Sequence, residues 1–403
     1  MKRGMGIVKR LLWVSCSFYL LIGVTSVVAG ALLPELLSYY KRDYSDGGTL
    51  LFAQFIGFLA GVLASPEGNR AIGRKNMLLL VLGLLAISYA TFGNLPPWYG
   101  VVAIAMVTGL CSGVIEAAIG SMIIDAVKEN TAVAMSRLEV FFGLGALIMP
   151  AVVSLLIVYD HWLLALYMIA AFSVMLMLVW FRIDLSVVTQ QEHAGEQELG
   201  NAPKLSYDRE DMPIAGTFIF FFFLYVGVEM SIANYMPSIF IELSRIDSSL
   251  ASLSVTFFWG AMTMGRLFAG RIAQRVGYTT YLLWSCLLSL LMLTGLTIVA
   301  DIRYAFILIV LLGLSMSGIF AIALLLANRL LPGRTERTTS LLIASAGIGG
   351  ACLSYLTGLG MEVLSVAKTM WGLVGFTLIM LLAMSFLSRY KKRKQQQEQI
   401  DLV

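Results

Sequence analysis

Three glutamates interrupt otherwise apolar stretches of this chain. Glu116 lies in Gly113-Val114-Ile115-Glu116-Ala117-Ala118-Ile119-Gly120, Glu229 in Tyr225-Val226-Gly227-Val228-Glu229-Met230, and Glu139 two residues after Arg137. A charged side chain at the centre of a hydrocarbon-buried helix costs roughly 2.5–3.5 kcal/mol on insertion scales, so each acid calls for a chemical reason. Glu116 has no basic residue within a helical turn, and its small neighbours leave room for a ligand or water. A carboxyl so placed can take up and release a proton as its exposure changes, or accept a hydroxyl hydrogen bond; the plainer alternative is a structural acid bonded to a neighbouring helix. Glu229 is followed five residues on by Asn234, and an acid with an amide offers a polyol both acceptors and donors. The closeness of Glu139 to Arg137 predicts a structural or gating ion pair. Gln54 and Thr25 are further polar candidates for binding. Trp259 has a ring able to stack on an apolar sugar face or simply to pack between helices.

Such acids matter only if the segments around them are buried in lipid, and the composition says that they are. Hydrophobic residues make up 59% of the 403-residue chain and charged residues 13%, against roughly 45–50% and about 25% in a soluble domain. A soluble fold of this size could not hide that much apolar surface. Cys16, Cys111, Cys286 and Cys352 all fall in apolar runs, with neither metal-ligand nor disulfide spacing. No metal and no cofactor is expected.

Runs of about 20 apolar residues, the length that spans a bilayer, occur at 11–33, 48–65, 77–93, 98–124, 133–158, 162–181, 213–236, 250–271, 279–299, 303–328, 338–361 and 369–388. The first run is longer than the 7–15 residues typical of a secretory signal, so it reads as a membrane helix. With both termini on one side, 22 of the 28 Lys and Arg residues fall on that side and 5 on the other, which makes the termini cytoplasmic. The polar stretch 182–212 splits the spans six and six. The expected architecture is an all-α membrane protein of twelve transmembrane helices in two six-helix bundles: 1–181, a cytoplasmic linker 182–212, and 213–403 with a basic tail.

The two halves repeat one another. Gly23-Val24-Thr25 before Pro34 matches Gly227-Val228-Glu229 before Pro237. Gly61 and Gly73 are twelve apart, as are Gly265 and Gly277. Gly109-Leu110 then Gly113 matches Gly313-Leu314 then Gly318, and Gly143-Leu144-Gly145-Ala146 matches Gly347-Ile348-Gly349-Gly350. Small residues let helices approach closely. A six-plus-six repeat about an axis along the membrane normal is the plan of the major facilitator superfamily, whose halves rock around a central site. Gly73-Arg74-Lys75 is a degenerate form of that superfamily's loop signature, and Gly265-Arg266 with Arg275-Val276-Gly277 echoes it. Arg74 and Arg266 are therefore candidates for gating, by bonding to carbonyls in one conformation, or else are plain positive-inside charges.

Within the superfamily the chain resembles the fucose–galactose–glucose:proton symporters, and among them the bacterial glucose/mannose:proton symporters. The resemblance rests on Gln54 to Gly61, Met135 to Leu147, Phe223 to Glu229, Ala233 to Ser238 and Ser340 to Ala346, and so runs from span 2 to span 11. It implies proton-driven hexose uptake, with the span-4 acid of the fucose carriers falling on Glu116. Those carriers have a further acid in span 1, where this chain has Gly23-Val24-Thr25-Ser26, so a two-acid relay does not carry over and glucose or mannose is favoured over fucose. The expected function is secondary transport, not enzymatic, with sugar and protons as partners, no nucleic acid, a monomeric state and residence in a bacterial inner membrane. An efflux carrier for drugs or metabolites is the alternative on the same fold, and 21 Met residues allow it. A sensor without transport would need a larger soluble domain. An ATP-driven pump lacks its Gly-x-x-x-x-Gly-Lys-Ser/Thr loop.

Overall fold

The computed structural model describes residues 2–126, 131–183, 211–299, 301–331 and 335–400. All regular structure among them is helical. The chain runs α1 (Lys2–Ala31), α2 (Leu33–Tyr40), α3 (Tyr44–Ile72), α4 (Arg74–Gly93), α5 (Trp98–Ala126), α6 (Thr131–Val158) and α7 (Leu164–Phe181). It continues as α8 (Met212–Ser244), α9 (Ser248–Val276), α10 (Tyr278–Ile298), α11 (Ile302–Met316), α12 (Ile319–Leu330), α13 (Thr335–Val363) and α14 (Val366–Ile400). Most of the expected 182–212 linker lies outside the described residues.

Eleven segments are long and apolar enough to cross a membrane, and they coincide with the expected spans except the eighth. α9 fills that place: its 29 residues would extend about 43 Å at 1.5 Å per residue. Arg266, Arg271 and Arg275 lower its apolar character. The ends of the spans differ from the sequence expectation in two places. The first helix stops at Ala31, and Pro34, which has no N–H to donate, sits in the first turn of the separate α2. The tenth span is broken, because α11 ends at Met316 and α12 begins at Ile319, with Ser317 and Gly318 between them. At the head of α11, outside the membrane, Asp301 accepts hydrogen bonds from the Arg303 guanidinium at 2.8 Å and the Arg303 backbone N–H at 2.9 Å. These bonds hold its carboxyl below the usual carboxylate range.

The backbone divides into two compact units. One comprises Met1–Arg42, Thr49–Lys204 and Asp247–Thr256, the other Asp43–Gly48, Leu205–Ile246 and Phe257–Val403. In the first unit α1 packs on α6, α4 on α7 and α4 on α5. In the second, the corresponding pairs are α8 on α13, α10 on α14 and α10 on α11. The repeat read from the glycines is therefore a repeat of packing. A Cβ on Gly23 would stand 2.0 Å from Phe142 O and one on Gly145 2.2 Å from Leu20 O. In the other unit, a Cβ on Gly349 would stand 2.0 Å from Phe223 O and one on Gly227 2.6 Å from Leu353 Cδ2. Backbone thus meets backbone along both seams, which only small residues permit. Gly73 and Gly277, twelve residues after Gly61 and Gly265, take positive φ angles of 78° and 88° at the heads of α4 and α10.

Each unit also carries a short exchanged segment held by polar contacts. In the first, Ser248 Oγ donates to Glu35 Oε1, and Ser252 Oγ donates to Ala31 O at 3.1 Å. In the second, Tyr44 Oη donates to Glu242 Oε1 at 2.9 Å and Ser45 N–H donates to Glu362 Oε2 at 3.0 Å.

The seams give a paired test. Gly349→Ala forces a methyl into the Phe223 carbonyl and should cost about 1–3 kcal/mol, as overpacking does, seen as a lower thermal unfolding midpoint of the detergent-purified protein. Gly347→Ala, two residues away, meets nothing within 4 Å and should leave the midpoint unchanged.

Candidate functional site

Polar side chains gather at two places, one inside each unit. In the first unit, Thr25 Oγ1 donates to Ile22 O at 3.0 Å and lies 3.1 Å from Ser112 Oγ, while Gln54 Nε2 donates to Thr25 O at 3.1 Å. This links α1, α3 and α5. Glu116 follows Ser112 by four residues and is only half-buried. Its charge interacts with that of Glu139 on α6, and both act on the Tyr19 hydroxyl of α1. Thr25 is buried and spends its hydroxyl on helix packing, whereas Gln54 has its carbonyl end to offer. Arg137 and Glu139 are exposed. The acid assigned by sequence to an ion pair with Arg137 thus also lies within electrostatic reach of Glu116.

Arg74 stands half-buried at the head of α4. Its neighbour Lys75 donates to Ile183 O at 2.7 Å, and Trp180 Nε1 donates back to Lys75 O at 3.3 Å. The Gly73-Arg74-Lys75 element therefore ties α4 to the end of α7.

In the second unit, Glu229 on α8 is 4% exposed, and its Oε1 lies 3.9 Å from Arg266 NH2 on α9. The Arg266 guanidinium also stands over the buried Trp259 ring, 5.9 Å from its centroid, about two helical turns earlier on α9. A cation over an indole face is attracted by the ring quadrupole, so Trp259 and Glu229 hold Arg266 from two sides. One turn before Glu229, the Tyr225 hydroxyl interacts with the Glu229 carboxyl and donates to Met316 O at 3.1 Å. That carbonyl ends α11 at the break in the tenth span, and Tyr225 satisfies it where the helix does not. Ser317 Oγ donates to Leu314 O at 2.7 Å in the same turn.

Asn234 lies on a different side of α8. Five residues at about 100° each put it some 140° from Glu229. It shares the i, i+3, i+7 face with Ser231 and Ser238, and all three are buried. The hydroxyls of Ser231 and Ser238 have no protein partner, and Asn234 makes no hydrogen bond among the described residues. Buried polar groups are nearly always satisfied, so two unmet hydroxyls flanking Asn234 on one helix face are a candidate place for polar atoms from outside the chain.

Sequence reasoning named Glu116, Glu229, Gln54 and Asn234 as candidates, and the structure places Glu229 beside Arg266 and Arg266 over Trp259, three residues assigned separately to binding, gating and stacking. It missed Tyr225 and the break at Ser317-Gly318. The heptad-like spacing of Ser231, Asn234 and Ser238 was a readable signal. The reach of Tyr225 to another helix had none. Among the described residues no three His, Cys, Asp or Glu side chains come together as metal ligands.

A membrane-spanning chain whose described regular structure is all helical and repeats in two units, each holding polar groups inside its apolar core, has the architecture of a transporter. Residues 15–310 and 217–402 match the Major Facilitator Superfamily, and the chain belongs to that family of transporters and is not an enzyme. It is 33% identical over 359 residues, 88% of each chain, to the glucose/mannose transporter GlcP of Bacillus subtilis (strain 168). It is 23% identical over 201 residues, 50% of this chain, to a putative glucose/galactose transporter of Helicobacter pylori (strain J99). Its fold matches the xylose transporter XylE from E. coli with a TM-score of 0.75, at 11% identity over 94% of this chain and 97% of that one. It also matches a bacterial homolog of the human lysosomal transporter Spinster with a TM-score of 0.77, at 12% identity over 95% and 97%.

The Tyr225 contact generates a prediction. Tyr225→Phe keeps the ring and removes the donor, leaving the Met316 carbonyl unsatisfied at a cost of about 1–3 kcal/mol. A thermal melt of the purified variant should show a midpoint several degrees below wild type.

Proposed function

We propose that this protein takes up a hexose of the glucose or mannose type together with protons, by alternating access in a bacterial inner membrane, with both termini cytoplasmic and the monomer as the working unit. The observation that carries the reading is the chemistry held inside the units. Glu229 and Asn234 are buried within α8, and the unmet hydroxyls of Ser231 and Ser238 beside Asn234 suit a ligand covered in hydroxyls. The 33% identity to a glucose/mannose transporter across 88% of both chains supports the same substrate class.

In this reading Gln54 and Asn234, each within its own unit, offer hydrogen bonds to sugar hydroxyls, while Trp259, buried with Arg266 over its ring, packs between helices. Glu116 takes a proton from one side and gives it up to the other. Thr25 acts indirectly, by fixing Gln54. Glu139, Arg137 and Arg74 govern opening at their helix ends.

The test uses the purified protein in liposomes, with labelled glucose, mannose, fucose and a lipophilic cation offered at zero membrane potential, with and without an inward proton gradient. Hexose should accumulate only with the gradient. One proton falling through one pH unit supports about a ten-fold concentration ratio. Glu116→Gln should therefore accumulate about ten-fold less hexose at a one-unit gradient while exchanging labelled for unlabelled sugar at the wild-type rate. Accumulation by this variant equal to wild type would remove Glu116 from coupling, and a preference for the cation would turn the reading to efflux.

A further inference from the structure

The sequence assigns Glu229 to hydroxyl binding and Arg266 to gating, but the geometry gives these two residues a different joint task. The Glu229 carboxylate is almost wholly buried and faces the Arg266 guanidinium at 3.9 Å, too long for a tight bidentate pair and close enough for strong attraction. Arg266 remains about one-third exposed, 32%, while Glu229 is 6% exposed at its side chain. The guanidinium can therefore be hydrated when it loses its partner, and the carboxylate cannot. The helices packed on α8 carry no charged residue between Thr338 and Met361 of α13 or between Thr369 and Ser388 of α14. From α12 the nearest charge is Arg329, at its far end, and α10 contributes the neutral Tyr281 beside Tyr225.

We propose that Glu229 carries a transported proton, with Arg266 as the counter-charge that holds the carboxylate when the proton is absent. This rests on the reading of the protein as a proton-coupled sugar carrier and adds a second proton site to it, in the other unit from Glu116.

The hydrogen-bond arithmetic around Tyr225 shows how occupancy is felt. A phenol has one O–H to donate and can also accept. With Glu229 ionised, the carboxylate accepts, and it competes with the Met316 carbonyl for the Tyr225 proton. When a proton binds a Glu229 oxygen, the attraction to Arg266 is lost and the new O–H donates to Tyr225 Oη, whose own O–H is left to the Met316 carbonyl at 3.1 Å. Protonation thus secures the free carbonyl at the break in the tenth span, and deprotonation draws the hydroxyl away from it. Interrupted helices are where transporters of several folds place their coupling chemistry, and here the interruption is tied to a carboxyl by one shared hydroxyl.

The experiment compares full-length wild type, Glu229→Gln and the double variant Glu229→Gln with Arg266→Met in liposomes, at zero membrane potential and a one-unit inward proton gradient. Folding is checked by size-exclusion chromatography. The double variant removes both charges, so no lone arginine is left beside a neutral partner if the single variant misfolds. Three quantities are read: the exchange rate of labelled for unlabelled hexose without a gradient, the accumulation ratio with it, and protons entering per sugar from a trapped pH dye. The expected result is exchange within about two-fold of wild type, about ten-fold lower accumulation, and one proton fewer per sugar. A folded variant with accumulation and proton count equal to wild type overturns the inference. So does loss of exchange along with accumulation, which would make Glu229 a sugar contact or a structural acid. Failure of wild type itself to accumulate hexose strikes the proton-coupled reading instead, and is distinguished by being independent of the Glu229 variants.

Discussion

A peptide carbonyl or amide in hydrocarbon has no water to turn to, and the unsatisfied group costs several kcal/mol. That constraint explains why the described residues form helices almost end to end, and why the exceptions are informative. Pro34 is tolerated where the first helix has already stopped and a new one begins. Ser317 and Gly318 interrupt the tenth span, and the carbonyl left over at Met316 is met by a tyrosine from α8. The same constraint acts on side chains: many serine and threonine hydroxyls within the spans donate to a carbonyl three or four residues back, as Thr357 does to Leu353 O and Ser173 to Ile169 O. Against that background the unmet hydroxyls of Ser231 and Ser238 are notable for flanking Asn234 on one helix face.

The two units share a packing plan and differ in chemistry. Paired glycines appear at matching positions in both, and Gly73 and Gly277 take nearly the same backbone conformation. The buried acids do not match. One unit holds its carboxyl on α5 beside a second acid, and the other on α8 beside an arginine. Duplication thus supplied a scaffold whose seams had to stay small, while the side chains at depth were free to diverge.

What could be read from sequence follows from that division. Membrane spans, their order and the repeat depend on hydrophobic length and on glycine spacing, both local properties, and they were legible. Glu116 and Glu229 were legible because a charge in an apolar run is visible without a fold. The partnership of Glu229 with Arg266 was not, because α8 and α9 meet through side chains whose facing depends on how each helix is rotated. Arg266 read as a gating residue or a plain positive-inside charge, with nothing to point it at Glu229. Tyr225 follows directly on the aromatic run from Phe218 to Phe223, where one hydroxyl gives no sign of reaching another helix. The eighth span, legible in sequence, is less apolar than the others because serines and threonines fill its first half and Arg266, Arg271 and Arg275 its second.

The glycine seams also decide where this molecule can deform. With Gly23 against the Phe142 carbonyl and Gly349 against that of Phe223, the helix pairs α1–α6 and α8–α13 have no layer of side chains between them to act as a lubricant. Sliding along either seam would drive carbonyl oxygens into α-carbons. Each pair must therefore travel as one stiff strut, and bending has to be absorbed where the helices are interrupted or joined by left-handed glycines.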